Sequence, residues 1–187
     1  MSKLTRWSSL AGALGLSLVM ATGAFAQGET DETAVVVPEL EGLAWYRSDD
    51  LTGPEMEASL PQDEVADWAS LLEGASATFE DLDYTYQSAF DPAALPDLGG
   101  MATVRVAGAD TDALRTAVAG DIVLQVEKAG FTAPPVEPGT VGGKDVVIVR
   151  MPAEVGLEDA VIYASGDVAW AIVMAPELAA AALEQLP

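Results

Sequence analysis

Between Thr140 and Ala175 the hydrophobic and polar positions sort into three short apolar runs separated by turn residues. Val146-Val147-Ile148-Val149 follows Gly142-Gly143, Ala160-Val161-Ile162-Tyr163-Ala164 precedes Ser165-Gly166-Asp167, and Val168 to Met174 closes the series. β-Branched and aromatic residues bounded by Gly-Gly and Gly-Asp predict adjacent antiparallel strands. In the last run Val168, Trp170, Ile172 and Met174 alternate with Ala169, Ala171 and Val173, so neither face is polar. A strand apolar on both faces belongs inside a sheet or under two layers, which places this run at the middle of one sheet.

Upstream, the pattern shifts between a period of two and a helical period. Leu40 to Arg47 predicts a first strand, with Ala44-Trp45-Tyr46 as its apolar part and Asp49-Asp50-Leu51-Thr52 closing it. Thr52-Gly53-Pro54-Glu55 has capping-box spacing and predicts a turn of helix through Ala58. From Pro61 to Glu73, Val65, Trp68, Ala69 and Leu72 fall at i, i+3, i+4 and i+7, an amphipathic helix that Gly74 can end in a left-handed conformation. Leu82 to Ser88 alternates as a strand with one wet face, and Asp91-Pro92 and Pro96 to Gly100 return the chain. Met101 to Ala107 is a further strand, with Ala102, Val104 and Val106 toward the core and Thr103 and Arg105 away from it.

Asp110 is the expected N-cap of a helix running to about Ala129 on Leu114, Val118, Ile122 and Val126; Gly120-Asp121 followed by Ile122-Val123-Leu124 also fits the start of a strand. Pro134, Pro135 and Pro138 make Phe131 to Thr140 an edge segment or an extended crossing. Pro176-Glu177 opens a last helix with Leu178, Ala182, Leu183 and Leu186 inward. The order β-α-β-β-α-β-β-β-α predicts an α+β fold, a mostly antiparallel sheet with helices packed on it.

The chain's beginning reads as targeting rather than fold. Lys3 and Arg6 precede an apolar stretch of 11 residues, Leu10 to Met20, and Ala24-Phe25-Ala26 offers a cleavage site. An uncleaved anchor would need roughly 20 apolar residues. Residues 1–26 are therefore expected to be a secretory signal peptide, 27–37 an acidic flexible tether, and 38–187 a single α+β domain. No Cys offers lipid attachment and no twin Arg precedes the apolar run, so the mature chain is expected to be soluble and exported, whether periplasmic or extracellular.

Charge and missing residue types narrow the chemistry. Removing Lys3 and Arg6 with the signal takes the formal charge from −22 to −24, against 30 Asp and Glu. Such a field repels phosphate backbones and anionic headgroups, which argues against nucleic-acid or membrane-surface partners. The acidity fits either a saline exterior or a solubility device. There is no His and no Cys. That removes disulfides, His-dependent nucleophilic catalysis, thiol chemistry and the usual zinc, copper and haem sites.

The remaining candidates have simpler structural accounts. Asp110-Thr111-Asp112 resembles the start of a calcium loop, but Arg115 and Asp121 stand where a Gly and a Glu are needed, and helix capping explains both acids. Glu80-Asp81-Leu82-Asp83 and Asp49-Asp50 are acid pairs on expected surfaces; a glycosidase needs two carboxylates at a set separation across a cleft, and with 30 acids some pair meets that spacing by chance. Gly142-Gly143-Lys144 lacks the phosphate-loop spacing and reads as a hairpin turn with a solvated Lys144. Ser165-Gly166-Asp167 is likewise a turn, and Ser165 has only Lys144 as a conceivable activator.

Arg105 and Arg150 stand out because they lie within predicted strands. They are the candidate binding residues, for a carboxylate or a partner protein, with ion pairing to surrounding acids as the structural account. No catalytic residue, metal ligand or cofactor is assigned. The expected function is an exported non-enzymatic domain that binds an as yet unidentified protein or small molecule, or serves a structural role; the alternative is a small carboxylate-dependent hydrolase.

Val141-Gly142-Gly143-Lys144-Asp145-Val146, Tyr163-Ala164-Ser165-Gly166-Asp167-Val168 and a short helix ending in Leu-Pro resemble an uncharacterised group of exported bacterial α+β domains. The arginine-valine strand leading into Gly108-Ala109-Asp110 fits as well, whereas the prolines at 134, 135 and 138 depart from the pattern. The resemblance spans about Leu40 to Pro187 and implies export and this fold class, with no activity attached.

Overall fold

A computed structural model describes residues 38–41, 43–90 and 97–187, without the side chains of 45–50, 86–90, 97 and 98. The signal peptide, the tether and the Asp91-Pro92 turn expected from the sequence lie outside the described residues. Among the described residues seven strands are formed: β1 (Ala44–Thr52), β2 (Leu82–Phe90), β3 (Asp97–Val106), β4 (Val136–Val141), β5 (Lys144–Val149), β6 (Ala160–Ser165) and β7 (Val168–Met174). They make one sheet in the spatial order β1-β2-β3-β7-β6-β5-β4, antiparallel at every pairing. Helices α1 (Gly53–Ser59), α2 (Gln62–Gly74), α3 (Thr111–Lys128) and α4 (Pro176–Gln185) complete an α+β fold.

The doubly apolar strand is where its pattern places it. β7 is the fourth of seven strands, and its alternating residues feed two cores. On one face Val104, Val106, Val149, Ile162 and Ala169 meet Leu114, Val118 and Ile122 of α3, with Trp68 and Leu72 of α2 behind them. On the other, Met101, Ile148, Trp170 and Ile172 meet Ala182 and Leu183 of α4, joined by Leu40. Glu39 and Gln185 tie this second layer together through two main-chain to side-chain bonds of 2.8 Å.

Local chemistry sets the element ends. Glu55 accepts from the Thr52 N–H at 3.0 Å, completing the capping box, and the Thr52 backbone donor, followed by its hydroxyl, holds the Glu55 carboxyl below its ordinary range. Asp110 Oδ1 accepts from the N–H groups of Asp112 and Ala113, so Asp110 is the cap of α3. That helix is continuous through Gly120-Asp121, with Leu114, Val118 and Ile122 packed in the sheet core and Val126 buried as well.

The second layer accounts for several departures from expectation. Thr103 does point away from the first core, yet it is only 2% exposed, because the sheet is covered on both faces. Ala69 is exposed, so the stripe of α2 is narrower than its spacing suggests. Ala179, not singled out by the pattern, is buried with Ala182 and Leu183. The left-handed residue after α2 is Ser76 (φ +59) rather than Gly74. The N–H groups of Ser76 and Ala77 close back on Glu73 and Leu72 in a Schellman arrangement two residues later than expected. Asp49 to Thr52 continue β1 instead of closing it, and Asp97 to Gly100 already belong to β3.

The proline-rich stretch supplies a strand the predicted order lacks, β4 at the sheet edge. Arg150 N donates to Pro135 O at 2.9 Å, which makes Val136↔Val149 and Pro138↔Val147 non-hydrogen-bonded pairs. The missing N–H of Pro138 therefore falls on the open side, where it interrupts any strand that would add there. Gly142 and Gly143 (φ +55 and +74) turn the chain from β4 to β5 in two residues, and a Cβ on Gly142 would lie 2.6 Å from the carbonyl oxygen of Ala180 in α4.

Candidate functional site

Arg105 lies within β3 as expected, whereas Arg150 is one residue past the end of β5; strand parity puts both on the α4 face of the sheet, since Arg105 follows Met101 and Thr103 while Arg150 follows Val146 and Ile148. They do not converge. Arg105 is level with Val168, while Val149 is level with Ala160 and, through it, with Val173, five residues further along β7. Arg150 lies one residue beyond Val149, so at about 3.3 Å per residue the two arginine levels are roughly 20 Å apart.

Arg105 Nε lies 3.3 Å from Asp167 Oδ2. The same turn is held by Val106 N on Asp167 O at 2.9 Å and by the Thr111 hydroxyl on Gly166 O at 2.8 Å. Arg105 therefore fastens the β6–β7 turn to the end of β3, and Thr111 ties the same turn to the start of α3.

Arg150 is bound twice: Nη1 to Asp159 Oδ2 at 2.7 Å and Nε to Glu137 Oε2 at 3.0 Å. Those hydrogen bonds, Asp159 first, raise the guanidinium above its ordinary value. Asp159 is itself clamped, its other oxygen accepting from Met151 N at 2.9 Å. Arg150 stands beside a shallow cleft of about 120 Å³ floored by Val141, Ile148, Val161, Met174 and Ala179, with Glu158, Asp159 and Pro176 at its margin.

The other sequence candidates are occupied structurally. Asp112 pairs with Arg115 at 2.5 Å, and Asp81 caps the short 3₁₀ turn Phe79–Asp81 by accepting from Thr78. Asp83 is exposed and opposite Arg105, while the side chains of Asp49 and Asp50 lie outside the described residues. Lys144 is not simply solvated: Nζ donates to the main-chain oxygens of Leu186 and Pro187 at 2.9 and 3.1 Å and sits 5.2 Å above the Tyr163 ring. Tyr163 in turn stacks on Trp170 with centroids 5.7 Å apart. Lys144 thus clamps the end of the α4 layer rather than activating Ser165.

The residue with the most displaced chemistry was not a sequence candidate. Asp121, on α3, is 9% exposed and accepts a 3.2 Å hydrogen bond from Gln125 Nε2. Burial pushes its carboxyl up to about 7; Glu64 and Asp67 add to the rise, while the Gln125 bond and Lys128 oppose it. Glu64 is raised as well, chiefly by burial. Lys128 is committed to Asp67 and lies 3.6 Å from Asp63, and the Asp67 bond is the main reason its own value rises. The only sequence sign was Gly120-Asp121 in mid-helix. There a Cβ on Gly120 would lie 3.4 Å from Leu71, which marks a close crossing of α2 and α3.

Among the described residues no group of three or more His, Cys, Asp or Glu is arranged to hold a metal ion, and no helix is long and apolar enough to cross a membrane. Comparison with protein-family models, curated proteins and solved structures returned no match for this chain.

Proposed function

We propose that this chain is an exported, non-enzymatic domain that holds a partner or small ligand at the Arg150 cleft. One observation carries the reading: the two features an acid–base enzyme needs together lie on opposite sides of the sheet. The cleft is on the α4 side, and the carboxyl with the strongly raised value, Asp121, is sealed between α2 and α3. The cleft itself combines an apolar floor with an exposed guanidinium. A ligand carboxylate can displace Glu137 or Asp159 from Arg150 while an aliphatic group covers Ile148 and Val161. Export is supported by the charged, apolar and small-residue order of residues 1–26 and by the resemblance described above.

A carboxylate-dependent hydrolase is supported less well, because the best-placed acid at the cleft, Asp159, is tied to Arg150 and to Met151 N. The test is an NMR titration of the mature domain with short aliphatic carboxylates, in wild type and Arg150→Gln. Shifts at Ile148, Val161 and Ala179 that vanish in the variant are expected. Shifts that persist unchanged in Arg150→Gln, or none at those residues, would remove the cleft as the site. Turnover of ester or glycoside panels abolished by Asp159→Asn would replace this reading with the hydrolase.

A further inference from the structure

α3 is covered on two sides, by the sheet beneath it and by α2 above it, and Asp121 is caught in that second contact. From α2 it faces Glu64 and Asp67; on its own helix its neighbours are Gln125 and Lys128. Lys128 gives little relief, because it is already engaged with Asp67 and Asp63. The sheet beneath offers Val149, Ile162, Ala164 and Ala169, and Asp145 of that face is exposed beside the N-terminal part of α3, where its carbonyl accepts from Arg115. A buried carboxylate here would thus face Glu64 and Asp67 with only the Gln125 amide and a Lys128 already paired with Asp67 to answer it.

We propose that Asp121 is a proton-operated latch between α2 and α3: protonated, it is a neutral filler bonded to Gln125, and deprotonated, it is a buried anion facing Glu64 and Asp67 that loosens α2 from the domain. The chain contains no His, the usual side chain for switching near neutrality. Among the described residues Asp121 takes that place, with its carboxyl raised to about 7.

The direction follows from linkage. With α2 released, the carboxyl returns to an ordinary value of about 3.9, so the seated form binds the proton more tightly and is favoured at low pH. As pH rises from about 4 to about 7, the seating constant falls up to tenfold per unit; between about pH 6 and 8 the fall is roughly tenfold, and above that it levels off. Acid closes the latch and mild alkali opens it.

Native-state hydrogen exchange at pH 6 and pH 8, on wild type and Asp121→Asn, tests this. In wild type the protection factors of Val65 to Leu72 should lie below those of β6 and β7 and fall about tenfold between the two pH values; in Asp121→Asn they should stay level. Equal protection of α2 and the sheet at both pH values would show that α2 does not open separately and would overturn the latch. So would a tenfold fall that survives in Asp121→Asn, since another group would then be its source. The wild-type measurement alone decides the first point, whatever the behaviour of the variant.

Discussion

Arg150 and Asp121 sit on opposite faces of the same sheet, and their surroundings treat charge in opposite ways. Arg150 is half exposed, bonded to two carboxylates and open to solvent, so its charge is held without strain and can be shared with a ligand. Asp121 is buried, has Gln125 as its donor and looks toward further acids, so its charge is suppressed. An ion pair at a surface contributes little stability but remains exchangeable, while a lone buried acid makes the packing around it depend on pH. The proposed recognition site and the proposed pH response thereby fall to different layers of the molecule.

If the layers are energetically distinct, truncating each core should show it. Leu114→Ala in the α3 layer and Leu183→Ala in the α4 layer should each cost about 2–5 kcal/mol in urea unfolding, because both side chains are fully buried. The double variant should lose close to the sum. A strongly non-additive result would show the two cores to be one unit and blur the contrast.

Asp121→Asn sharpens it from the other direction. Removing the penalised charge should stabilise the domain by roughly 2–4 kcal/mol at pH 8, with the gain shrinking as pH falls and absent near pH 3. Two backbone changes should have smaller effects. On the Arg150 side, Gly142→Ala places a Cβ against Ala180 O at a positive φ and should cost about 1–3 kcal/mol in a urea melt. On the α2 side, Ser76→Gly relieves a left-handed serine and should raise stability by about 0.5–1 kcal/mol by the same measurement.

Much of this architecture could be read from local pattern, where turn chemistry and periodicity point the same way. The Gly142-Gly143 and Gly166-Asp167 turns, the cap at Asp110, the Thr52–Glu55 box and the doubly apolar strand of Trp170 each rest on a few adjacent residues. The edge position of Pro138 was legible for the same reason, since a residue without an N–H has few places in a sheet. Thr103 and Asp121 were not, because each is buried by an element distant in sequence. Asp121 and Gln125 at i and i+4 look like the wet side of an amphipathic helix until α2 closes over them. Arg105 in β3 and Arg150 just past β5 were recognisable as unusual positions for a cation, but their separation depends on a register that no local pattern encodes.

The most direct measurement is the carboxyl carbon of Asp121 followed by ¹³C NMR through a pH titration of the wild-type domain. A midpoint near pH 7 is the predicted result, and a midpoint near 4, where an ordinary aspartate titrates, would contradict the account.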